Sequence, residues 1–309
     1  MPERVTLTFV DGILIIDKPA GLTSHDVVTR VRRALKTKRV GHTGTLDPFA
    51  TGVMVVLIGR ATRLAQYLDK DEKEYVAELR FGWETDTGDV TGIRTAESGL
   101  TDVEVAEQLA SLEWEKVLAK FRGEIEQVPP MYSAKKLEGK KLYELARKGI
   151  EVERDPVAVT ISKLEIVERD GLPNSALRIR AACSAGTYVR TLAEDIGRAV
   201  GLLAHLTALR RTRAGRYTLA EAVTLDALAQ MASPGSALLP MDDAVSHLAV
   251  FTLRPDRVER TRGGMSTRDS SCKFSEGENV AMVDEDGKLI AVGRFDGSEN
   301  SVRPKVVLG

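Results

Sequence analysis

With 309 residues, 43% of them hydrophobic and 29% charged, the chain is long enough for one large or two ordinary cores, and its mixed composition excludes fibrous and disordered classes. Its 44 Lys and Arg are balanced by 45 Asp and Glu, a formal net charge of −1, which argues against chain-wide attraction to a polyanion and leaves only local patches to consider. Two isolated cysteines, Cys183 and Cys272, allow neither a disulfide framework nor a CxxC metal site, and no apolar run approaches bilayer length, so a cytoplasmic protein without targeting or membrane segments is expected.

In chain order, Gly12 to Ile16 reads as a buried strand, and Ser24 as the cap of a helix with Val27, Val28, Val31 and Leu35 at helical spacing. Val53 to Ile58 is a second buried strand, followed by a short helix through Leu64 to Leu68. Tyr75 to Phe81 alternates as a half-exposed strand. Thr101 and Glu104 form a capping box for a helix through Leu112. Beyond Pro129-Pro130 lies a Lys-rich stretch with a short helix near Leu142 to Lys148. Val157 to Val167 and Ala176 to Cys183 read as strands relieved by a turn at Asp170-Gly171. Thr187 to Val200 reads as a helix with Tyr188, Leu192, Ile196 and Ala199 on one face. After a boundary near residues 245 to 252, Val280 to Val283, an Asp286-Gly287 turn, Leu289 to Phe295 and Val306 to Leu308 suggest a small all-β module. Helices interleaved with strands, many joined without a helix between them, indicate an α+β protein with a mixed sheet.

The charge is unevenly placed. Val27 to Leu46 holds six bases, Arg30, Arg32, Arg33, Lys36, Lys38 and Arg39, and no acid. Leu206 to Tyr217 holds Arg210, Arg211, Arg213 and Arg216, also unopposed locally. A third run, Lys135, Lys136, Lys140, Lys141, Arg147 and Lys148, meets only Glu138 and Glu144. One such run alone reads as a solvated face; three together read as phosphate-binding surfaces. The compensating acid is concentrated between Glu97 and Gln127.

The densest chemistry lies in Gly41-His42-Thr43-Gly44-Thr45-Leu46-Asp47-Pro48-Phe49-Ala50-Thr51-Gly52, which runs directly into an apolar strand. Three glycines in twelve residues mark an irregular loop able to approach a ligand closely. It is neither a Walker A loop nor a Rossmann fingerprint. From spacing alone, Asp47-Pro48 is simply the start of a turn. The four histidines, His25, His42, His205 and His247, have no paired ligand spacing, so no metal is expected.

That loop closely resembles the signature of the bacterial TruB family, the tRNA pseudouridine-55 synthases. Further similar strings follow in family order: Ile16-Asp17-Lys18-Pro19-Ala20-Gly21, Thr23-Ser24-His25-Asp26, Lys73-Glu74-Tyr75, Val128-Pro129-Pro130-Met131-Tyr132-Ser133-Ala134-Lys135-Lys136, Cys183 to Leu192 with its Gly-Thr-Tyr-Val-Arg core, and Ala204-His205 with Leu209-Arg210-Arg211. The likeness spans residues 12 to 217. Val280 to Phe295 with Arg303 to Leu308 is similar to a PUA-type RNA-binding module.

The resemblance implies a mixed, largely antiparallel sheet flanked by helices, a catalytic domain over 1–248 with a thumb-like insertion at about 123–150, and a PUA-like domain over 249–309. It implies isomerisation of one uridine of the tRNA T-arm to pseudouridine, at position 55, by a monomer without a cofactor. Asp47 matches the nucleophile, Arg190 the cation that keeps it ionised, and Tyr75 the aromatic that stacks on the base and is a candidate for helping to remove the C5 proton. Tyr188 and Leu209 match base-pocket positions, His42 the residue against the flipped nucleotides, and Lys18 with Pro19 the support of the site's floor. The thumb-like stretch is expected to fold onto RNA when bound. Two rivals are a tRNA-binding or tRNA-folding protein without required catalysis and a hydrolase with an Asp nucleophile. Against the latter, the loop offers no second carboxylate for the usual acid/base pair.

Overall fold

Apolar side chains that run unbroken from Ile13 to Ile16 and from Val53 to Ile58 can be satisfied only by strands buried on both faces, and the computed structural model pairs these two runs antiparallel, Gly12 opposite Ile58 and Lys18 opposite Gly52. The structure describes residues 11–137, 139–168, 173–268 and 274–308. The chain start before Asp11, Glu138, the expected Asp170-Gly171 turn and Cys272 lie outside the described residues.

Strands of the two larger sheets are numbered in chain order. The first sheet contains β1 (Gly12–Lys18), β2 (Val40–Thr43), β3 (Thr51–Ile58), β4 (Lys73–Phe81), β5 (Gly123–Gln127), β6 (Val157–Glu168), β7 (Ala176–Cys183), β8 (Ala204–Ala214) and β9 (Tyr217–Thr218). Its order is β1-β3-β8-β4-β7-β6-β5, with β2 also on β3 and β9 on β8. Every pairing is antiparallel except β3 with β8, which run parallel where Thr51 meets Arg210 and Gly52 meets Arg211. The protein is thus α+β with a mixed, largely antiparallel sheet, as expected.

One face of this sheet carries the main core. Leu14, Ile16, Met54, Val56, Ala77, Leu79, Phe81 and Ile179 pack there against Val27, Val28 and Val31 of the helix Ser24–Ala34, Val105 and Leu109 of the helix Asp102–Ser111, and Leu192 and Ile196 of the helix Val189–Ala199. The capping box at Thr101 and Glu104 forms as expected. At the first helix the cap is Thr23 rather than Ser24: Thr23 Oγ1 accepts from Asp26 N–H at 3.1 Å, and Asp26 accepts in return from Thr23 N–H at 2.9 Å. Tyr188 is the N-cap of the helix Val189–Ala199 rather than part of its face, and Ala199 is exposed, the buried stripe continuing instead through Val200.

The opposite face of β1 and β3 presents Ile13, Ile15, Val53, Val55 and Leu57, which share one cluster with Ala281, Leu289, Val292, Val306 and Leu308. The latter belong to the C-terminal region, where β10 (Ala249–Thr252), β11 (Thr267–Arg268), β12 (Asn279–Val283), β13 (Leu289–Asp296) and β14 (Ser301–Val307) form a second sheet in the order β10-β12-β13-β14-β11. The C-terminal region is also tied by polar contacts to the short helix Gly59–Leu64 that follows β3, Arg60 donating to Leu308 O at 2.5 Å and Arg63 to Val307 O.

Strand β8 is the largest departure from the sequence reading. Its basic residues, with Arg216 in the turn that follows, do not form a free phosphate surface. Arg210 pairs with Asp17 at 2.8 Å, Arg213 with Glu72 at 2.6 Å and Arg216 with Asp243 at 3.6 Å, while Arg211 is 1% exposed. Their acids lie on other segments, so a local count of charge misses them. By contrast, Arg30, Arg33, Lys36, Lys38 and Arg39 are exposed and form no ion pair among the described residues.

The same strand opens a seam in the sheet. On one side of β3, β2 pairs with residues 55 to 58 and β8 with residues 51 and 52, leaving Val53 and Met54 without a strand between them. The chain from Thr43 to Thr51 emerges at this gap. The Arg211 guanidinium fills it, Nε donating to Val53 O at 2.6 Å and Nη2 to Gly44 O at 3.0 Å. Gly52 adopts φ +103°, and a Cβ there would lie 2.1 Å from Arg211 O, so the parallel contact admits only glycine.

Candidate active site

The loop emerging from the seam is gripped from three directions. Lys18, fully buried at the end of β1, donates from Nζ to Pro19 O at 2.9 Å, Pro48 O at 3.2 Å and Ala50 O at 2.6 Å. Ser24, at the first turn of its helix, bonds both backbone groups of Leu46, and Arg211 holds Gly44 at φ +65°. Burial outweighs the nearby Asp47 carboxylate and lowers the Lys18 pKa to about 8.

Asp47 follows these clamped residues. Its carboxylate meets Arg190 in a two-point contact, Nε to Oδ2 at 2.8 Å and Nη2 to Oδ1 at 3.3 Å. Arg190 reaches it from the first turn of the helix Val189–Ala199, and its side chain is 5% exposed. Its remaining donors are anchored by backbone: Nη1 donates to Thr87 O at 2.6 Å and Nη2 to Tyr132 O at 2.7 Å. Asp47 itself stays one-third exposed towards the cavity although densely surrounded by protein. Desolvation pushes its pKa above the ordinary carboxylate range; Arg190 opposes this, and Asp89 adds to it. The guanidinium therefore offsets only part of the cost of holding a charge here.

Asp47, Tyr75, Tyr188, Arg190 and Leu209 line a single cavity of about 230 Å³. This is smaller than the roughly 300–1,000 Å³ usual for drug-sized ligands, so it suits one nucleoside-sized group. Tyr75 projects from β4 on its buried face and Leu209 from β8, and both belong to the main core cluster. Burial raises the Tyr75 pKa, which keeps the phenol protonated and makes it a wall rather than a base. Tyr188 is fixed through its backbone: its N–H donates to Gln127 Oε1 at 3.0 Å and its carbonyl accepts from Gln127 Nε2 at 3.3 Å.

Three expected site residues lie outside the cavity lining. Lys18 supports the loop from beneath and has no exposed surface, so it cannot touch a substrate; Pro19 is exposed beyond the cavity. His42 sits beside it on β2, its Nδ1 buried without a hydrogen-bond partner and its pKa lowered, first by burial and then by Arg211, so that the ring is neutral near pH 7.

Other walls were not singled out from sequence. They are Asp69, Lys73, Arg211, the turn Ser184 to Thr187, and Ser133 with Ala134 at the root of the insertion. Lys73 is held by Asp69 O at 2.8 Å and Asp71 O at 2.5 Å. It stands two residues before Tyr75 in the Lys73-Glu74-Tyr75 string. Of the expected insertion at about 123–150, Gly123–Gln127 is strand β5 of the main sheet, paired with β6, and the remainder contains the small hairpin Lys136–Leu137 and Lys140–Lys141 with the helix Leu142–Ala146.

The mixed sheet, with an ion pair in a small aromatic-walled cavity at its seam, is the pseudouridine synthase fold. The chain superposes on one in the crystal structure of a Cbf5–Nop10–Gar1 complex with a TM-score of 0.72 and 26% identity, over 98% of this chain and 86% of that one. The archaeal box H/ACA sRNP Nop10–Cbf5 complex gives 0.69 and 26%, over 98% and 88%. Residues 32–189 match the model of the TruB family pseudouridylate synthase N-terminal domain, and residues 190–246 that of the tRNA pseudouridylate synthase B C-terminal domain. The chain belongs to the TruB family and is an isomerase. Among its relatives, tRNA pseudouridine synthase B of Solibacter usitatus is 48% identical over 97% of this chain and 100% of its own length. That of Bordetella avium is 49% identical over 79% and 97%, and that of Bacillus pumilus 38% over 97% and 98%.

Proposed function

We propose that this chain converts uridine 55 in the T-arm of tRNA to pseudouridine, acting as a cytoplasmic monomer, with Asp47 as the nucleophile. The observation that carries this reading is the two-point contact of Arg190 with a partly desolvated Asp47 inside a cavity walled by Tyr75 and Leu209. In this reaction the N1–C1′ bond breaks and a C5–C1′ bond forms, the C5 proton leaves to solvent and N1 gains one, so atoms balance without an oxidant or co-reactant. As the uracil departs with the N1–C1′ bonding pair, Asp47 donates a lone pair to C1′ and takes it back when C5 bonds there, while Arg190 favours the ionised form of that carboxylate. Tyr75 stacks on the extruded uracil, and Tyr188 and Leu209 enclose it.

A target inside a folded stem-loop must be flipped out, at a cost of a few kcal/mol. The neutral His42 ring suits contact with nucleobases around the vacated position. Lys18, with the Pro19 carbonyl, braces the loop under Asp47. The exposed bases Arg30, Arg33, Lys36, Lys38 and Arg39, and those of the insertion at about 123–150, supply phosphate contacts. Residues 1–248 form the catalytic domain in this reading, and 249–309 a PUA-like RNA-binding domain.

The test is release of tritium from a tRNA transcript labelled at uracil C5. Wild type is expected to release one tritium per tRNA and Asp47→Ala none. Equal release by both, or none by wild type that still binds tRNA, refutes the reading; the second result favours a tRNA-binding protein without catalysis.

A further inference from the structure

We infer that Ser24 is a positioning residue for the nucleophile, setting the register of the Asp47 carboxylate against Arg190 through the backbone of Leu46. The inference rests on the proposed role of Asp47. Ser24 Oγ accepts from Leu46 N–H at 2.9 Å and donates to Leu46 O at 3.1 Å, so one hydroxyl holds both peptide groups that flank Leu46. The second of these peptides is the bond into Asp47.

The hydroxyl is a rigid anchor for three reasons. Ser24 is 4% exposed, too enclosed to touch a substrate or to exchange its partners for water. It opens an 11-residue helix whose start is locked by the reciprocal Thr23 and Asp26 bonds, and whose Val27, Val28 and Val31 are buried in the main core. Its partner Leu46 is itself 3% exposed, so both ends of the contact are fixed by packing.

The loop needs such an anchor because its own conformation is irregular. Between the end of β2 at Thr43 and the start of β3 at Thr51 it makes no ladder bonds. Arg211 fixes it at Gly44, and Lys18 at Pro48 and Ala50. Among the described residues, Ser24 alone grips by a side chain the residue immediately before Asp47. Loss of the hydroxyl leaves an N–H and a C=O buried without partners, and the loop relaxes to satisfy them. A displacement of about 1 Å at a reacting group costs up to about 100-fold in rate.

Ser24→Thr and Ser24→Val are the same shape and differ in the hydroxyl alone, so their comparison separates positioning from packing. In single-turnover tritium release, Ser24→Val is expected to be 10- to 100-fold slower than Ser24→Thr, an estimate from the same misplacement penalty, with KM for tRNA within about twofold. The acid limb of the pH profile is expected to move upward in Ser24→Val alone. The charged groups facing Asp47 are Arg190, Asp89 and Lys18, and none of them bonds Ser24, so that limb moves only if the carboxylate has shifted against them. Identical rates for the two variants, a change confined to KM, or an unmoved acid limb would each overturn the inference. Titration of the Asp47 carboxyl by NMR with labelled aspartate tests the same point without turnover: a higher value in Ser24→Val than in Ser24→Thr supports positioning, and equal values refute it. Absence of tritium release from wild type would instead count against the proposed function.

Discussion

Replacing Arg190 with Lys keeps the charge and removes the geometry. The guanidinium bonds both oxygens of Asp47, at 2.8 and 3.3 Å, together with Thr87 O and Tyr132 O at 2.6 and 2.7 Å. An ammonium is a single point with three donors and cannot span four acceptors set around a planar fork. At least one carboxylate bond and one backbone bond are therefore lost. A hydrogen bond to a charged group is worth about 1.5–3 kcal/mol and an unpaired buried carbonyl costs about 1–3 kcal/mol. Losing a bond to the charged form therefore raises the Asp47 pKa further above the range to which burial has already lifted it. Single-turnover tritium release measured from pH 5 to 9 should show the acid limb of Arg190→Lys displaced upward, with thermal unfolding a few degrees lower. An acid limb in the wild-type position, or below it, would show that the ion pair does not govern the ionisation of Asp47.

Gly52→Ala places a Cβ 2.1 Å from Arg211 O at φ +103°, combining overpacking with backbone strain for a loss of roughly 2–6 kcal/mol; a urea midpoint close to wild type would refute the parallel contact. Glu194, whose pKa burial raises to about 7 despite Arg198, holds its proton in the folded state over a range where the unfolded chain has lost it. Stability on its account is present below pH 4.5 and is lost as pH rises through about 7, by at most about 3 kcal/mol, so Glu194→Gln should flatten the decline in urea midpoint between pH 5 and 8. An equal decline in both proteins contradicts the assignment. Deleting residues 249–309 uncovers Ile13, Ile15, Val53, Val55 and Leu57, which share their cluster with the C-terminal sheet. With about 1.5–3 kcal/mol for each fully buried side chain, the truncated protein should aggregate or melt well below the full chain; an unchanged melting temperature would show that the two sheets are independent.

The parts legible in sequence were those whose partners are close by or whose chemistry is carried by side chains. β1 and β3 announce themselves as apolar runs because both their faces are buried, and the Thr101 capping box because its two members are three residues apart. Asp47, Tyr75 and Arg190 stood out through family strings, and the structure brings them to one cavity with Tyr188 and Leu209. β8 was illegible because its arginines break the apolar alternation, and the acids that pair with two of them, Asp17 and Glu72, are distant in sequence. Ser24 acts on the amide and carbonyl of Leu46, groups that every residue has, so no pairing of residue types betrays it, and Lys18, which grips carbonyls in the same way, stood out only through the family string.

Arg190 Nη2 is shared unequally, 2.7 Å from the carbonyl of Tyr132 in the insertion and 3.3 Å from Asp47. Whatever displaces that carbonyl releases an N–H towards the carboxylate, and whatever draws the carboxylate in loosens the insertion's root. The position of the Tyr132 carbonyl and that of the Asp47 carboxylate are in this way two readings of one mechanical coordinate, and a variant that alters either is expected to alter both.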